Sequence, residues 1–102
     1  MNKANESAQF RGNFNFSIVD IQVGETLQFA RDETITAQVV SNKKILFEDV
    51  EMSLSAAALT LVHREGLKWS TIAGPNFWTY DREILSERRN RLEREEAEQD
   101  ED

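Results

Sequence analysis

Hydrophobic positions follow two different periods along the chain, and the order of those periods predicts its architecture. Leu27 and Phe29 flank Gln28, Ile35, Ala37 and Val39 alternate with Thr36 and Gln38, and Ile45 and Phe47 share one side of KILFE. A period of two with β-branched and aromatic content is the pattern of an antiparallel sheet with one buried face. Polar stretches separate these runs. The RDET sequence turns the chain after Phe29, Asn42-Lys43 predicts a two-residue hairpin because Asn tolerates positive φ, and Glu48–Glu51 reads as a polar bend. The period then changes. Leu54, Ala57, Ala58, Leu61 and Val62 fall at i, i+3, i+4, i+7 and i+8, which predicts a helix over 54–65 with Ser53 as N-cap and Gly66 in the left-handed position that ends it.

Both flanks of this centre are less regular. In FNFSIVDI, Phe14, Phe16 and Ile18 alternate while Ile18 and Ile21 suit one helical face, so a strand and a short helical turn both fit, before a turn at Gly24. LKWSTIAGPN reads as a loop punctuated by Gly74-Pro75. FWTY follows as a short strand or extended anchor, and Asp81-Arg82 as the tip of a small hairpin. A last helix is expected from about Glu87 to Glu96, capped by Ser86. Its apolar positions are few (Leu85, Leu92, Ala97), and its Arg89/Glu93 and Arg91/Glu95 pairs contribute only ~0.3 kcal/mol each. Its acidic end opposes the helix dipole, which predicts fraying. Trp78 is expected inside, and Trp69 at least partly so. The fold class is therefore α+β: a small antiparallel β-meander packed against one amphipathic helix, with a C-terminal charged helix. Residues 1–13 read as a flexible N-terminus, 14–85 as a single domain, and 86–102 as the charged helix and an acidic disordered tail.

Composition narrows the function classes. A chain of 102 residues makes one small domain, and 39% hydrophobic content is enough for a core. Cys is absent and His63 is the sole histidine, which removes disulfide frameworks, zinc-thiolate sites and cysteine catalysis. No apolar run approaches a membrane span, and MNKANESAQF lacks the apolar stretch of a signal peptide, which gives the expectation of a cytoplasmic protein. The net charge of −7 is unevenly spread. From Asp81 onward five Arg face ten acids, and six of those acids lie in EEAEQDED with no base among them. The remaining excess of acid is small, so an anionic partner is not excluded for the body of the domain.

No nucleophile elbow, phosphate-cradling glycine loop or metal-spaced carboxylate set appears, and His63, beside Arg64 and away from the apolar stripe, reads as solvent-exposed. The expectation is a non-enzyme with no cofactor and no metal. Two segments carry possible binding chemistry. The SLSAAA helix start offers free N–H groups and the hydroxyls of Ser53 and Ser55 to a phosphate, although Ser53 serves equally as a cap for its own helix. Trp69 lies among Lys68, Ser70, Thr71 and Asn76, a mixture able to stack on and hydrogen-bond a nucleic-acid strand, or to plug the core.

The order of QVGETLQF, ITAQVV, KILFEDVEMSLSAAA and the W…GPNFW segment resembles the RAMA domain, the restriction-enzyme and adenine-methylase-associated module, over residues 21–80. The matching positions are Gly24, Ser53, Ser55, Ala57, Ala58, Trp69 and Trp78. SLSAAA and GPNFW are also similar to pieces of small recombinase-associated bacterial domains. The resemblance implies a non-catalytic module associated with DNA modification, restriction or mobile elements. In this reading Ser53 and Ser55 meet phosphate, Lys68, Ser70, Thr71 and Asn76 make polar contacts, and Trp69 stacks. The alternative is a regulatory adaptor that binds a protein partner, or another copy of itself, through the C-terminal charged helix and binds no nucleic acid.

Overall fold

The computed structural model describes residues 14–100, with side chains described through residue 96; the N-terminal segment 1–13 lies outside them. Six strands form one antiparallel sheet: β1 (Thr26–Phe29), β2 (Asp32–Val39), β3 (Ile45–Phe47), β4 (Val50–Met52), β5 (Trp78–Tyr80) and β6 (Glu83–Ile84), in the order β4-β3-β2-β1-β5-β6. The expected meander makes up β1 to β4. The chain then crosses the sheet through helix α1 (Leu54–Arg64) and returns on the far side of β1, pairing Phe29 with Trp78. Helix α2 (Leu85–Asp100) follows β6 directly. The mixed α+β class holds, with a sheet wider than a simple meander.

Alternation along the strands places Leu27, Phe29, Ala37, Val39, Ile45 and Phe47 on one buried face. The five residues of the predicted α1 stripe, Leu54, Ala57, Ala58, Leu61 and Val62, are all buried and share one core with that face. Ser53 caps α1, its Oγ accepting from the Ala56 N–H at 3.1 Å. At the other end Gly66 adopts φ +96°, and the N–H groups of Gly66 and Leu67 donate back to the carbonyls of His63 and Val62. This is the Schellman closure, which satisfies carbonyls the helix would otherwise leave open. Two arginine–carboxylate forks tie the same end to the strand turns, Arg64 on Glu48 and Arg31 on Glu65.

Three local expectations are corrected. Glu48–Glu51 is no loose bend: Phe47 pairs with Val50 across a two-residue turn with Glu48 at φ +54° and Asp49 at φ +67°, and Val50–Met52 is a strand. Asn42-Lys43 is not a two-residue hairpin. The β2–β3 connection spans residues 40–44, with Val40 N–H donating to the Lys44 carbonyl. Asn42 is recruited instead by the entry segment: its side-chain oxygen accepts from Ser17 N–H and its carbonyl from Phe16 N–H, both at 2.9 Å. Those bonds fix Ser17–Val19 as one turn of 3-10 helix and bury Phe16, Val19 and Ile21. Ser86, finally, lies inside the first turn of α2 instead of before it, because the helix starts one residue earlier on the fully buried Leu85.

A charged helix with few apolar residues needs other anchors, and α2 finds them in its arginines. Arg88 Nε donates to the Val19 carbonyl at 2.7 Å while its guanidinium lies over the Tyr80 ring. Arg91 forks onto Glu83 at 2.8 and 3.0 Å and reaches Glu95 at 3.2 Å. Hydrogen bonding from Arg91 holds the Glu83 carboxyl below the usual range and raises the Arg91 guanidinium in turn.

Candidate nucleic-acid interface

The start of α1 is held by three separate contacts. Ser53 supplies the cap, Ser55 Oγ accepts from the Gly74 N–H at 3.0 Å, and the indole N–H of Trp78 donates to the Leu54 carbonyl at 3.2 Å. Trp78 is fully buried between Phe29 and Phe47, with ring centroids 5.2 and 6.3 Å away. The 3-10 turn Gly74–Asn76 therefore lies directly on the helix start. A Cβ at Gly74 would stand 2.6 Å from the Ser55 nitrogen and 2.7 Å from Leu54 Cβ, so only glycine permits this approach. The SLS and GPNFW segments, distant in sequence, form one interlocked unit.

A cleft of about 540 Å³ opens beside that unit. Ser53, Ser55 and Asn76 of the expected set line it, joined by Phe14 and Phe16 from the entry segment, Lys43 from the β2–β3 connection, and Ser86 and Arg89 from α2. The Ser53 and Ser55 oxygens each already accept a backbone N–H, which leaves their own O–H groups to donate elsewhere. Among the described residues the wall carries two cations and no carboxylate. Lys43 is exposed, whereas the Arg89 side chain is 12% exposed and its described hydrogen bond is a long one, from Nε to Glu93 at 3.4 Å. Among the described residues no buried side-chain nitrogen or oxygen lacks a partner.

Lys68, Trp69, Ser70 and Thr71 do not line the cleft. All four are exposed, on the loop that leads into Gly74. Trp69 is 41% exposed, held edge-on to Phe77 at 6.0 Å, and its carbonyl lies 2.7 Å from His63 Nε2. Sequence reasoning missed Lys43, which it assigned to a turn, and Arg89, which it assigned to a surface pair with Glu93. The long connection that turns Lys43 toward the entry segment, and the docking of α2 by Leu85 and Arg88, are what bring the two to one wall.

Among the described residues no three His, Cys, Asp or Glu side chains gather to hold a metal ion, and no helix is long and apolar enough to cross a membrane. No protein-family model, curated protein or solved structure matches this chain.

Proposed function

We propose that the chain is a non-catalytic DNA-associated binding module that meets the phosphate backbone at the cleft between α1, the Gly74–Asn76 turn and α2. The observation that carries this reading is the charge of the cleft wall. In a chain of net charge −7, one concave surface gathers Lys43 and Arg89 with no carboxylate among the described residues that line it, beside the capped start of a helix and the hydroxyls of Ser53, Ser55 and Ser86. Cations, hydroxyls and a helix N-terminus are the groups that position phosphates. Lys68, Trp69, Ser70 and Thr71 would serve as a flanking strip on the exposed loop, with Trp69 offering a ring face. A restriction, modification or mobile-element setting is the context we assign, on the resemblance of residues 21–80 to the RAMA domain.

Fluorescence anisotropy of labelled single- and double-stranded DNA at two salt concentrations tests the reading. Affinity should fall as salt rises, with a log–log slope of about −1.4 for a strand held by two phosphate contacts. Absence of binding at low salt would remove DNA from the account and leave the adaptor reading, in which α2 carries the partner.

A further inference from the structure

We infer that the cleft takes a single unstacked nucleotide, its phosphate against Lys43 and Arg89 and its base against Phe14, rather than a length of intact duplex. The inference rests on the DNA reading above and sharpens it.

Shape supplies the first argument. The cations sit in a concavity of about 540 Å³, within the ~300–1,000 Å³ of small-ligand sites. Duplex phosphates run along a convex ridge and are met by cations on open surface, whereas this cleft has room for one nucleotide and walls on either side. The second argument is the chemistry of those walls. Phe14 is half-buried and braced edge-on by Phe16, with ring centroids 5.7 Å apart, so its position is fixed while part of its surface stays open. Pro75 adds an apolar surface, and the exposed Asn76 amide offers a donor and an acceptor able to pair with a base edge. An aromatic face beside a polar edge-reader is the arrangement that holds splayed-out bases, and a phosphate-only site has no use for it. Arg89 supplies the third argument. The half-buried arginines on either side of it, Arg88 and Arg91, spend their guanidinium groups on a carbonyl and on Glu83. The described hydrogen bond of Arg89 uses Nε alone, at 3.4 Å to Glu93, and a phosphate on its guanidinium would give shorter charge-assisted bonds.

The test is an NMR titration of the full chain, following backbone amides, with deoxynucleoside monophosphates, deoxyribose 5-phosphate and inorganic phosphate as separate ligands. Nucleotides should shift Phe14, Ser55 and Asn76 together and bind at least about tenfold more tightly than the sugar phosphate, the gain expected from one base–aromatic stack. Phe14→Ala should remove that tenfold gain and leave phosphate binding unchanged, while Phe14→Trp should restore it. Equal affinity for all three ligands would overturn the inference in favour of a plain anion site. DNA strands that bind without shifting these amides would also overturn it, yet leave the DNA reading standing. No response to DNA or to any of the three ligands would remove both.

Discussion

Gly74 shows how much a single residue decides. Its value lies in the absence of a side chain at the point where the 3-10 turn rests on the backbone of Leu54 and Ser55. Gly74→Ala would force those atoms apart, and overpacking of this kind costs about 1–3 kcal/mol. The variant should show a lower urea midpoint with an unchanged m-value, and a midpoint equal to wild type would contradict the interlocked unit. Trp78 works from the opposite direction, filling the seam and donating its indole N–H to Leu54. Trp78→Phe should cost about 2 kcal/mol, from lost volume and one lost hydrogen bond, and a thermal melt within a degree of wild type would be inconsistent with that role. Legibility at this scale was uneven. The Ser53 cap, the Gly66 terminus and the burial of Trp78 follow from local rules, whereas the partnership of Ser55 with Gly74 joins residues 19 apart through tertiary packing that no local pattern encodes.

At the scale of elements, two of the sheet's tight turns are built from residues poorly suited to them. Glu48-Asp49 and Asp81-Arg82 each place two non-glycine residues at positive φ. Both turns match the twist of their strands, but a side chain in the left-handed region costs about 1–2 kcal/mol. Asp49→Gly should therefore stabilise the domain by about 1 kcal/mol once its added backbone freedom is counted. A drop in the urea midpoint would show that the turn differs from the one described. The Asp81-Arg82 hairpin was legible because its charged pair sits between two short apolar runs. Glu48–Glu51 was not, because Val50 is the lone apolar residue in the stretch and an edge strand of three residues leaves almost no periodicity. The start of α2 escaped for another reason: its first residue is its principal core anchor, and capping logic looks for a polar residue there.

At the scale of the whole molecule, acid–base pairing adds to Leu85 and Arg88 in keeping α2 against the sheet, and with it the wall that Arg89 gives the cleft. Glu83 is held below the usual carboxylate range by hydrogen bonding from Arg91, against the opposing effect of partial burial. A depressed acid contributes stability above its unfolded value, ~4.3, and loses it as pH falls through the lower folded value. Glu48 is lowered by hydrogen bonding from Arg64 and follows the same sign. The domain should hold its stability on the neutral side and lose it below about pH 4, and Glu83→Gln should flatten that part of the curve; a wild-type melting temperature that stays level down to pH 2.5 would contradict the docking. The class of the fold was legible in the alternation of periods, but the cleft was not. Its cations come from a connection and a helix 46 positions apart in sequence, Lys43 to Arg89, and only the assembled chain brings them to one wall. The most direct test of that wall is the salt dependence of DNA-strand binding by the double variant Lys43→Gln, Arg89→Gln, its fold verified by an unchanged far-UV spectrum. The variant should lose binding at low salt, with the slope of about −1.4 reduced toward zero. Wild-type affinity and slope in the variant would place any DNA contact elsewhere on the molecule.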